Sequence, residues 1–158
     1  MRRHLLFCLI PIIFLATTAR AEEREPGQPL VTERRALMAS ISADFIALGK
    51  ALQGGGDIRR FAMPYVRAIE AKAALLPDLF PKESGKASGL KTRAADLIWE
   101  DFTKFRRDAE TLGKAMAEMA GIIETGSRLV ALERYRKLGR ETCGNCHTVG
   151  SPKREVAQ

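Results

Sequence analysis

The chain is short of the residues that most often build small-protein chemistry. Its 158 residues include three Cys, two His and one Trp, and aromatics make up 6%. So few thiols exclude a disulfide-rich scaffold. No alternation of period two persists long enough to argue a strand, and without a βαβ context a thioredoxin-like dithiol site is a poor reading. There is no basic block interleaved with aromatics, which argues against nucleic acid. Long hydrophobic runs are missing too. The one apolar stretch, Leu5 to Ala16, is shorter than the roughly 20 residues a membrane-spanning helix needs.

That stretch follows a cationic start, Met1-Arg2-Arg3-His4, and precedes Ala19-Arg20-Ala21, an A-x-A cleavage site before Glu22. The pattern predicts a secretory signal peptide over residues 1–21 and hence a periplasmic protein. Cleavage would remove Cys8 and His4 and leave Cys143, Cys146 and His147 as the only Cys and His residues. Zinc sites want about four N/S ligands, so a zinc site is a poor reading. Without Arg2, Arg3 and Arg20, 23 basic residues face 19 acidic ones, a charge of +4. This mild excess suits docking to an acidic redox partner protein, or simply a solvated exterior.

Residues 22–30, charged and containing Pro26, Gly27 and Pro29, read as a flexible lead-in to one domain over 31–158. Four helical patterns follow. The first spans about Glu33–Leu52, capped by Thr32, with Met38, Ile41, Phe45, Leu48 and Leu52 on one stripe; Gly54-Gly55-Gly56 stops it. The second follows Asp57 to Leu76, with Ile58, Phe61, Tyr65 and Ile69 as its stripe and Pro64 marking a kink or a true start. Pro81–Lys91 reads as an exposed loop. The third pattern covers Thr92–Glu124 with a break near Trp99–Asp101, and its stripe is Phe102, Phe105, Ala109, Leu112, Met116, Met119 and Ile123. The fourth, capped by Ser127, carries Leu129, Leu132, Tyr135 and Leu138. Short turns between patterns favour antiparallel neighbours, so the fold expected is all-α, an up-down four-helix bundle.

The last helix runs into Cys143-Gly144-Asn145-Cys146-His147. C-x-x-C-H is the attachment motif of a c-type haem. Two thiols bind the porphyrin covalently, and the adjacent imidazole becomes an axial ligand. One covalent haem c at the end of the last helix is therefore expected, and a haem-free bundle with a Cys143–Cys146 disulfide is the alternative. With no second histidine, the sixth-ligand candidates are the thioethers of Met38, Met63, Met116 and Met119. Met116 and Met119 sit in a regular core stripe and Met63 adjoins Pro64. Met38 stands one helical turn after Arg34, so a guanidinium could hold a haem propionate beside the thioether. Core packing of Met38 and surface pairing of Arg34 with Glu33 or Glu100 are the plain alternatives.

The chain resembles the class II c-type cytochromes, the cytochrome c-prime family of four-helix bundles. The resemblance rests on Arg34-Arg35-Ala36-Leu37-Met38, Leu79-Phe80-Pro81, Ile98-Trp99-Glu100-Asp101 with Phe105, and the C-terminal Cys143–His147 motif. It implies that Trp99 and Phe80 pack near the haem or close the bundle, and that the protein is a monomer or a homodimer. In the family's high-spin branch an aliphatic or aromatic residue follows the arginine by one turn, and the five-coordinate iron binds nitric oxide or carbon monoxide. In the low-spin branch that residue is a ligating Met. Met38 implies the second branch: an electron carrier with no catalysis of its own and no small-molecule substrate. One departure stands out. The family continues the last helix with an aromatic-Arg pair, whereas His147 is followed by Thr148-Val149-Gly150-Ser151-Pro152, and neither Lys153 nor Arg154 takes the arginine's place.

Overall fold

A computed structural model of the chain describes residues 27–149. The signal peptide read over 1–21 lies outside them, as do Lys153 and Arg154. Every regular element described is helical, and no described helix is long and apolar enough to cross a membrane.

Helix α1 (Gln28–Gln53) starts three residues inside the expected lead-in, with Pro29 in its first turn, where a proline lacks nothing the helix would use. Thr32 is accordingly internal and does not cap; its hydroxyl donates to Gln28 O. Helix α2 (Ile58–Leu75) is capped by Asp57, whose carboxylate accepts from Arg59 N at 3.0 Å, and continues through Pro64. That proline is exposed, so the backbone bond it forfeits is lost at a watered face.

The apolar face of α2 is rotated from the expected one. Ile58, Ala62, Val66, Ile69 and Ala73 are buried, while Phe61 is 48% exposed. Both sets keep a three-four step, and periodicity alone does not choose between adjacent stripes. The smaller set wins because it lets α4 approach closely.

The expected third helix is shorter and divided. After α3 (Leu97–Glu100) the chain breaks at Asp101, which caps α4 (Phe102–Glu124) by accepting from Lys104 N at 2.9 Å. Residues 76–95 form three single 3₁₀ turns and extended pieces; the stretch is not simply an exposed loop, because Ser84 and Leu90 are buried. Helix α5 (Arg128–Leu138) begins after Ser127, whose side chain makes no cap bond, and Leu129 is 80% exposed rather than on the core stripe. A π turn (Gly139–Cys143) and α6 (Gly144–Val149) finish the described chain.

Helices α1, α2, α4 and α5 pack cyclically, each against two neighbours. Arg59 at the start of α2 reaches Glu124 O at the end of α4, so this pair is antiparallel like the two joined by short turns. The result is an up-down four-helix bundle. Leu48, Leu52, Ile69, Met116, Met119, Ile123 and Leu138 are fully enclosed at its centre. Burying one such side chain stabilises by about 1.5–3 kcal/mol. Gly49 lets Tyr135 come close enough to α1 to stack on Phe45, at 4.4 Å between ring centroids.

Candidate haem-binding site

The up-down topology sets Arg34 and Met38 on α1, the 76–101 segment, the start of α4 and the Cys143–His147 motif at one end of the bundle. Cys143 ends the π turn, and Cys146 and His147 lie on α6. Cys143 is half-buried, 3.8 Å from the Thr142 hydroxyl, which itself donates to Leu138 O. On the α5 side, Tyr135 has a raised pKa, from burial first and then from Cys143. Cys146 is exposed as a residue, yet desolvation of its sulfur, aided by Asp108, raises its pKa while Lys104 opposes the shift. One thiol thus neighbours α5 and the other α4.

Both cysteines are free and His147 is exposed. Two free thiols and an adjacent imidazole are the groups by which a c-type haem is anchored and ligated. The residues present fit the group. Met38 is half-buried and packs against the core, as does Met63, whereas Met116 and Met119 are fully enclosed among apolar neighbours. Full enclosure in the central core is the setting of a gap-filling methionine.

Arg34 is only 4% exposed. Surface pairing with Glu33 or Glu100 is therefore not its role: one Nη donates to Ser84 Oγ at 3.1 Å, and the other to Ser84 O at 3.0 Å and Thr92 Oγ1 at 3.1 Å. Its guanidinium lies 4.5 Å above the Phe80 ring and 6.0 Å from that of Trp99. Burial, and then Arg35, pull its pKa below the usual arginine value, but an arginine stays charged in proteins. Trp99 Nε1 donates to Phe80 O and Pro81 O, each at 3.0 Å. Phe80 also packs on Phe105 at 4.7 Å, and Phe105 on Phe102 at 5.8 Å. Phe80, Trp99, Phe105 and Phe102 thus form one aromatic cluster beside Arg34.

Ser84 and Thr92 were missed in the sequence. Both lie in the irregular segment, where no periodicity marks which side chain turns inward.

The sequence model described as Cytochrome C′ matches residues 29–149, nearly all of the described chain. The chain belongs to the cytochrome c′ family. It is 29% identical over 133 residues to the cytochrome c′ of Rhodospirillum rubrum, covering 84% of this chain and 88% of that protein. It is also 29% identical over 153 residues to the cytochrome c-554 of Cereibacter sphaeroides, covering 90% of each. No solved structure gives a significant match. A covalently attached haem c is the family's cofactor, and the C-x-x-C-H motif of this cytochrome falls inside the matched region.

Proposed function

We propose that this cytochrome c′-family protein is an exported electron carrier whose single haem c would be held by Cys143 and Cys146, with His147 and Met38 as iron ligands and Arg34 binding a propionate. The observation that carries the reading is Met38 itself: a half-buried thioether one turn along α1 from a buried arginine. Among the described residues Arg34 has no carboxylate partner, and a dry, unpaired cation is costly. A haem propionate would supply the missing anion.

When bound, haem c supplies a one-electron ferric/ferrous couple. His147 and Met38 would keep the coordination unchanged between the two states, so little rearrangement opposes electron transfer. Phe80, Trp99 and Phe105 would keep that end of the bundle dry. Exposed cations beside the motif, such as Arg136 and Arg140, suit an acidic redox partner.

A second reading is kept because the family match and the Rhodospirillum rubrum cytochrome c′ favour it. In it Met38 only covers the iron, and the protein binds nitric oxide or carbon monoxide. Met38→Ala separates the two. In the electron-carrier reading the substitution turns a low-spin protein into one that binds carbon monoxide in the ferrous state. An unchanged spectrum after the substitution removes Met38 from the coordination sphere.

A further inference from the structure

The segment between α2 and α4 is stitched to α1 mainly through arginine. Arg34 holds Ser84 through its hydroxyl and its carbonyl, and Thr92 through its hydroxyl. Next to it Arg35 donates to Lys91 O at 2.8 Å. Ser84 is wholly buried and turns its own hydroxyl proton to Pro81 O at 2.6 Å, which leaves its oxygen lone pairs to Arg34. Thr92 Oγ1 accepts from Ala94 N at 3.1 Å as well as from Arg34. Both acceptors are therefore locked by the backbone around them, and in turn they lock the guanidinium.

A guanidinium has five N–H donors. Three are committed to Ser84 and Thr92, and the other two have no acceptor among the described residues. Phe80 and Trp99 pack on the group, so it has little freedom to turn into water.

We propose that Ser84 and Thr92 are positioning residues that fix the buried Arg34 charge at the haem end and thereby set the reduction potential of the haem. This rests on the reading that Arg34 holds a propionate. A fixed cation near the iron favours the ferrous state, which carries one positive charge fewer. Its influence is large because a dry site screens it weakly. Loosening the clamp lets the charge swing toward solvent and lowers the potential without removing any charge from the protein.

The experiment is a redox titration of the holoprotein and of Arg34→Ala, Ser84→Ala, Thr92→Val and Thr92→Ser, with thermal unfolding of each. Arg34→Ala is expected to lower the potential most. Ser84→Ala and Thr92→Val shift it the same way by less, and Thr92→Ser, which keeps a hydroxyl, restores it. A potential that moves in Arg34→Ala but stays put in Ser84→Ala and Thr92→Val, with only their unfolding temperatures falling, overturns the clamp and leaves the Arg34 reading standing. No shift in any variant overturns both. The potential is measurable whether or not Met38 binds the iron, so a high-spin spectrum would sink the electron-carrier reading separately.

Discussion

Arginine does opposite work at the two ends of this bundle. At the end far from the haem motif, Arg128 donates to Ala51 O, Leu52 O and Gly56 O, and Arg59 to Glu124 O. These are the carbonyls that helix ends and turns leave without partners, and a cation there also complements the helix dipole. Both arginines remain partly in water. At the attachment end Arg34 is buried beside the Phe80 and Trp99 rings and bound to hydroxyls and a carbonyl, with no carboxylate partner among the described residues. The first arrangement completes a fold. The second ties a buried segment to α1 with a cation that has no anion beside it among the described residues, a costly arrangement for the charge itself, and it does so at the end that carries the C-x-x-C-H motif.

Substitutions at the attachment end and in the core should fail in different ways, and the largest effect is chemical. Cys143→Ser combined with Cys146→Ser should abolish covalent haem attachment, read as loss of haem stain on a denaturing gel. Haem that survives acid-acetone extraction of this variant would contradict the assignment. In the central core, Leu48→Ala should cost about 2–5 kcal/mol in urea unfolding while attachment of haem persists. Arg34→Ala leaves a buried carbonyl and two hydroxyls short of a donor and should cost about 1–3 kcal/mol. Arg128→Ala, whose orphaned carbonyls lie nearer water, should cost about 1 kcal/mol or less; equal losses at Arg34 and Arg128 would erase the contrast between the ends. Smallest of all, Arg67→Ala on the α2 surface, which breaks a pair with Glu70 at 2.9 Å, should change stability by no more than about 0.5 kcal/mol.

Much of this was legible in the sequence because it is local. The Cys143–His147 spacing carries its chemistry in five residues, the long seam of α4 keeps one period from Ala109 to Ile123, and the Gly54-Gly55-Gly56 triplet and Asp57 mark helix ends. Less legible was everything set by tertiary fit. On α2, neighbouring stripes share the same step, and the smaller one faces inward because α4 packs closely there. Ser127 has the right type for a cap but makes no cap bond, and Leu129 fits a stripe that α5 turns to water. Least legible was the clamp. Arg34 and Ser84 are fifty positions apart, and nothing in the polar, glycine-containing stretch around Ser84 announces that its hydroxyl would be the most buried in the segment.

The measurement that bears most directly on the central claim is the optical spectrum of the purified holoprotein, ferric, ferrous, and ferrous under carbon monoxide. With Met38 and His147 on the iron, the ferrous bands are sharp and split, and carbon monoxide leaves them unchanged. A broad high-spin ferrous spectrum that shifts on adding carbon monoxide would contradict the claim and make this cytochrome a gas-binding protein.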